Sequence, residues 1–128
     1  MSVHWASDPG MPVITWRKFS ATGGFRVAFE HLLELMKERQ CPVAMANFEN
    51  MSVLDSDDQL WLREKWLPFA AAQGLRHLAV ILPSISLGKL SLMKGLRFED
   101  ASRLEIAYFN QKIQCENWLK RISQIAAA

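Results

Sequence analysis

The side chains whose types could carry chemistry are three histidines, two cysteines and a short acidic run. His4, His31 and His77 have no partner at a metal-binding spacing such as His-x-x-x-His, so each reads as a surface or structural residue. Cys41 precedes Pro42 at a helix-to-strand junction, and Cys115 lies in the last helix. Neither belongs to a CxxC pair or has a histidine near it in sequence, and both read as free thiols acting as small apolar residues. No Gly-x-Ser-x-Gly elbow is present. Thr22-Gly23-Gly24 is a glycine-rich turn between a strand and a helix, a place where free amides can hold phosphate. It lacks the dinucleotide fingerprint and a Walker lysine, and so reads as a turn with a helix cap. Asp55, Asp57 and Asp58 do not follow the EF-hand spacing, and helix capping accounts for them. The sequence therefore offers no catalytic residue, no metal site and no cofactor. An enzyme would need a cleft joining His31, His77 or Cys115 to a carboxylate.

The stretch 84–97 has a different character. Lys89, Lys94 and Arg97 are its only charged residues, and they are interleaved with Ile85, Leu87, Leu90, Leu92, Met93 and Leu96. Such a segment can dock a partner, touch a membrane surface or cover an apolar groove. In the plainer reading its leucines close the core and its lysines are solvated. As a lid it would hinge at its glycines.

Composition bounds the rest. The chain has 128 residues, half of them hydrophobic, which suits a single globular domain with a core of its own. A net charge of +2 leaves no basic stripe for nucleic acid. No apolar stretch approaches the roughly 20 residues of a membrane span. Residues 1–10 lack the basic and apolar regions of a signal peptide, so the expected location is the cytoplasm. Five tryptophans are many for this length and could anchor a core or a homodimer.

Period and punctuation then give the elements. Asp8-Pro9-Gly10 marks a hairpin between an apolar stretch at 3–5 and a strand at 13–19. Thr22 looks like a helix cap. Phe25, Phe29, Leu32, Leu33 and Met36 form the buried face of a helix that Pro42 stops. A buried strand follows at 43–48. Ser56 and Gln59 form a capping box for a helix over 57–73, which Pro68 must kink or split and Gly74 ends. Strands follow at 77–82 and 104–109, with 84–95 left open between an irregular helix and a loop. A final helix over 111–125 carries a stripe of Ile113, Trp118, Leu119 and Ile122. The order β-β-α-β-α-β-(α)-β-α predicts an α/β fold, a mixed and mostly parallel sheet of about five strands with packed helices.

Several pieces of this pattern resemble the STAS-type fold of bacterial anti-sigma factor antagonists, closest to the SpoIIAA-like, STAS/CRAL-TRIO-related group. They are Trp16, Gly23-Gly24-Phe25, Asn50-Met51-Ser52-Val53, Trp61 with Trp66-Leu67-Pro68, Ala79-Val80-Ile81-Leu82-Pro83, Tyr108-Phe109 and Trp118-Leu119. They cover most of residues 13–122 and are packing features rather than chemical motifs. Signalling members of the family carry an Asp-Ser-Ser-Gly-like turn whose second serine is phosphorylated. The matching stretch here is Asp55-Ser56-Asp57-Asp58, which puts Asp57 at the acceptor position and Asp58 at the glycine. Ser56 reads as a cap rather than a phosphoacceptor. The resemblance speaks to fold more than to function; the expected function is a non-enzymatic STAS-like module that binds a protein partner, with Ser52, Asp55, Ser56 and Asp57 at a helix start and Lys89 and Lys94 on the leucine-rich stretch as contacts. The alternative is a small carrier of an apolar or lipid-like ligand, which needs a tunnel behind residues 87–96.

Overall fold

A computed structural model describes residues 1–7, 10–16, 24–51, 53–97 and 103–127, with side chains to residue 122. The chain is α/β, and its five strands form one mixed sheet in the order β1-β2-β3-β4-β5. β1 (Ser2–Ala6) pairs antiparallel with β2 (Met11–Thr15), setting Trp5 opposite Pro12. Gly10 makes the return at φ +97°, a conformation that any side chain would strain. The hairpin is the expected one, with Asp8 and Pro9 outside the described residues. β2 starts two residues earlier than expected and ends at Thr15. Residues 17–23, including the expected cap Thr22, lie outside the described residues.

β3 (Val43–Asn47), β4 (His77–Ile81) and β5 (Glu105–Phe109) follow in parallel, each beside the strand before it. Right-handed crossovers along an order that never reverses put every connecting helix on one face. Those connections are α1 (Gly24–Arg39), a long composite helix, and α4 (Ser86–Gly95). The last helix, α5 (Lys112–Ala127), covers the other face. The pleat sorts the side chains accordingly. Ala44, Ala46, Leu78 and Val80 meet the crossover helices, while Val43, Met45, Ala79 and Ile81 meet Cys115 and Leu119 of α5.

The buried face of α1 is as expected, with Ala28 added. Its stop differs. Gln40 takes a left-handed conformation at φ 52°, and the Cys41 amide donates to the Met36 carbonyl at 2.9 Å. That is a Schellman closure completed before Pro42 is reached.

The helix expected over 57–73 forms as α2 (Ser56–Trp61), a π turn (Leu62–Trp66) and α3 (Leu67–Ala72). Pro68 has no N–H to give, and its ring crowds the carbonyl four residues back. The chain absorbs this by widening one turn. The Leu67 amide donates to Leu62, five residues back, while the backbone stays helical on both sides. Gly74, at φ +112°, ends α3 as expected.

Two corrections concern the C-terminal half. The open stretch forms a regular ten-residue helix, α4. Gly88 and Gly95 are both buried within it, and Gly95 is a close approach to α2 rather than a break. A Cβ at Gly95 would lie 3.2 Å from the Cα of Gln59 and 3.2 Å from Cδ2 of Leu54. On α5, Ile113 is 58% exposed and does not belong to the stripe, which is Cys115, Trp118, Leu119 and Ile122 at i, i+3, i+4 and i+7.

Candidate functional site

The loop after β3 delivers the acidic start of α2. Asp55, not Ser56, is the cap. It sits extended at φ −70° and ψ 159°, and its Oδ1 accepts the Asp58 amide at 3.0 Å. Ser56 is therefore the first helical residue, and it is exposed. Gln59 falls one place too late for a capping box. Its Nε2 donates instead to the Leu54 carbonyl at 2.8 Å. Asp58 is tied to α1, where Arg26 Nε donates to its carboxylate at 3.0 Å. The same guanidinium stands 5.6 Å from the centre of the Trp61 ring. Asp57 remains on the exposed side of this turn. Ser52 lies outside the described residues.

Ser91 joins this corner to α4. It is 5% exposed, its Oγ accepts the Leu54 amide at 2.9 Å, and it donates to the Gly88 carbonyl at 2.9 Å. Nothing in residue spacing singles out Ser91 among the scattered serines of this stretch. One face of α4 is packed inward, with Gly88, Ser91, Leu92 and Gly95 buried. The other face holds Leu87, Leu90 and Met93 at 64%, 60% and 44% exposure, with Ile85 beside them. Lys94 is exposed and Lys89 half-buried along the same helix. Arg63 of the π turn donates to the Lys94 carbonyl at 3.3 Å. The leucines of 84–97 thus divide: Leu92 and Leu96 close the core, and Leu87 and Leu90 do not. Behind α4, where a carrier would need its tunnel, Leu54, Gln59 and Leu62 pack directly against Gly95.

A concavity of about 560 Å³ lies between α1 and the π turn, lined by Leu33, Trp61, Trp66 and Phe69 and by four charged residues of those two elements. The sequence pattern does not reveal it, because its walls come from two helices and its shape from the widened turn. All five tryptophans have partners within the chain. Trp16, Trp61 and Trp66 join a ring cluster with Phe25, Phe29 and Phe48. Trp66 also donates to the Phe29 carbonyl at 2.9 Å. Trp118 packs on Phe109 and His77, and Trp5 lies under Arg39. The tryptophan count therefore no longer argues for a dimer face.

The candidate nucleophiles are not activated. Burial raises the Cys41 thiol pKa, outweighing a backbone hydrogen bond at Val43 that lowers it. Burial, with the charge of Glu116 beside it, pushes Cys115 up to about 12. A thiolate is the reactive form, so both settings are inert. His77 Nδ1 lies 3.1 Å from Glu105 Oε1, a pairing of strand-first residues at the amino end of β4 and β5. His4 and His31 are exposed. Among the described residues no group of three or more His, Cys, Asp or Glu side chains could hold a metal ion. Parallel sheets hold small ligands where the strand order reverses, and from β2 to β5 it does not. Among the described residues no helix is long and apolar enough to cross a membrane. No family model, curated protein or solved structure matches the chain.

Proposed function

We propose that this chain is a non-enzymatic, STAS-like module that recognises a protein partner at the corner formed by α4 and the start of α2. One observation carries this reading. A ten-residue helix turns Leu87, Leu90 and Met93 outward and carries Lys89 and Lys94. Large apolar side chains grouped at the surface among cations fit the centre and rim of a binding surface. Asp55, Ser56 and Asp57 stand on the adjoining element, held there by Ser91 and its bond to Leu54. They supply negative charge beside the positive helix, a pattern that selects partners more than it strengthens binding. The likeness to the SpoIIAA-like group rests on the sequence pieces above and on the element order. Inert thiols and a sheet without a switch point support a role in binding over catalysis. Packing behind α4 disfavours the carrier alternative.

The test is a pair of proteins purified from the native host under gentle conditions. The Leu87→Ser, Leu90→Ser double variant should unfold at the temperature of the unmodified chain and lose the protein that copurifies with it. Native mass spectrometry of both samples reads the partner's mass. An equal partner yield from the variant would refute the reading, as would a bound small molecule in place of a protein.

A further inference from the structure

One edge of the sheet lies open beside α4. Among the described residues β5 ends the strand order and is paired on one side only. Glu105 N–H donates to Arg76 at 2.9 Å, and the Phe109 carbonyl accepts from Leu82 at 2.8 Å. Along a strand, bonding to one neighbour uses alternate residues. Glu105, Ala107 and Phe109 therefore serve β4, and the amides and carbonyls of Ile106 and Tyr108 face away from it. The side chains of these two residues lie on the α4 side of the sheet, packed against the core. Between β5 and α4 runs an open groove of about 420 Å³, walled by Met93, Leu96, Arg97, Leu104, Ile106 and Tyr108.

A helix standing beside an unpaired strand can accept an added strand. The new chain satisfies the edge by backbone bonds and is selected by the side chains it drops into the groove. We propose that this groove takes an extended, acidic segment of the partner protein as a sixth strand. The inference rests on the partner-binding reading and specifies its mode. The segment hydrogen-bonds to Ile106 and Tyr108, places alternate apolar residues against Met93, Leu96 and Tyr108, and sets a carboxylate beside Arg97.

Charge selects this occupant. Lys89 and Lys94 of α4 and Arg97 just after it are the only charged residues of 84–97, and Arg97 lines the groove. Glu105, the carboxylate bordering the groove, is turned to His77 at 3.1 Å. A second copy paired edge to edge would bring the basic helix alongside its own twin, with like charges opposed.

The test starts from random peptides displayed on phage and selected against the full chain, with the enriched sequences synthesised. The proposal expects apolar residues at alternate positions with Asp or Glu among them. Bound peptide should slow amide exchange at Ile106 and Tyr108. Arg97→Glu should weaken binding about tenfold, the size of one charge-assisted contact, at an unchanged unfolding temperature. Leu60→Ser, exposed on α2, should leave binding as it was. Peptides that bind but protect only other amides would overturn the sixth strand and leave the partner-binding reading standing. Failure to enrich any peptide would overturn the proposal, and the double variant above would then decide the broader reading separately. Protection of Ile106 and Tyr108 in the free chain, rising with its concentration, would give the edge to a second copy and overturn it as well.

Discussion

Ser91 shows how one side chain can hold a site together. It satisfies a buried amide of the loop before α2 while its own proton stays within α4. Ser91→Ala should cost about 1–3 kcal/mol, because the Leu54 amide would be left buried without an acceptor. Urea denaturation reads this directly, and an unchanged midpoint would show that the bond does not hold the corner. Cys115 makes a prediction in pH. Its folded pKa is about 12 against an ordinary 9.0, so above pH 9 the unfolded chain releases a proton that the folded chain keeps. Its contribution is complete below that pH and is lost as pH rises from 9.0 towards 12. Cys115→Ala should flatten the alkaline fall in stability, measured as unfolding midpoints across that range. At this scale the sequence was partly legible. It identified Cys115 as an inert buried thiol. It chose the wrong cap because Asp55 and Ser56 are both good caps, and only the backbone angles at Asp55 decide between them.

The elements divide by how plainly they repeat. α1 buries one face and was legible in the spacing of its apolar residues, while β3 and β4 are buried on both faces and were legible as short apolar runs. α4 was not, because it inverts the rule that periodicity reads. It buries Gly88, Ser91 and Gly95 and exposes Leu87, Leu90 and Met93. Gly95→Ala should destabilise the fold by about 1–3 kcal/mol, since the new methyl meets the backbone of α2 as well as the buried side chains of Leu54 and Leu62. The opposite sign is expected at the end of α1. Gln40 holds a left-handed backbone, so Gln40→Gly should stabilise by about 1 kcal/mol. Thermal unfolding of the two variants checks both signs. The π turn before Pro68 lay beyond the sequence for another reason. A proline announces a conflict in the hydrogen-bond ladder, but neighbouring helices determine whether the chain breaks, bends or widens there.

At the scale of the molecule, the order of elements was legible and the site only in fragments. Alternating strands and helices gave the mixed sheet, and its one-directional order places all three crossovers on one face. Among the described residues the same order leaves β5 with an open edge beside α4. Residues from 55 to 57 and from 89 to 94 meet at one corner because the loop after β3 is pinned to the helix after β4. Spacing along a chain cannot show such a meeting. The central claim, that the outward face of α4 docks a protein, is tested most directly by a photo-crosslinking amino acid placed at Leu90 in the native host. The same probe at Ile113, exposed on the α5 side, serves as reference. The account predicts one discrete heavier product from Leu90, absent from Ile113 and reduced by Lys94→Glu. No product from Leu90 in a folded, abundant protein, or the same product from both positions, would contradict it.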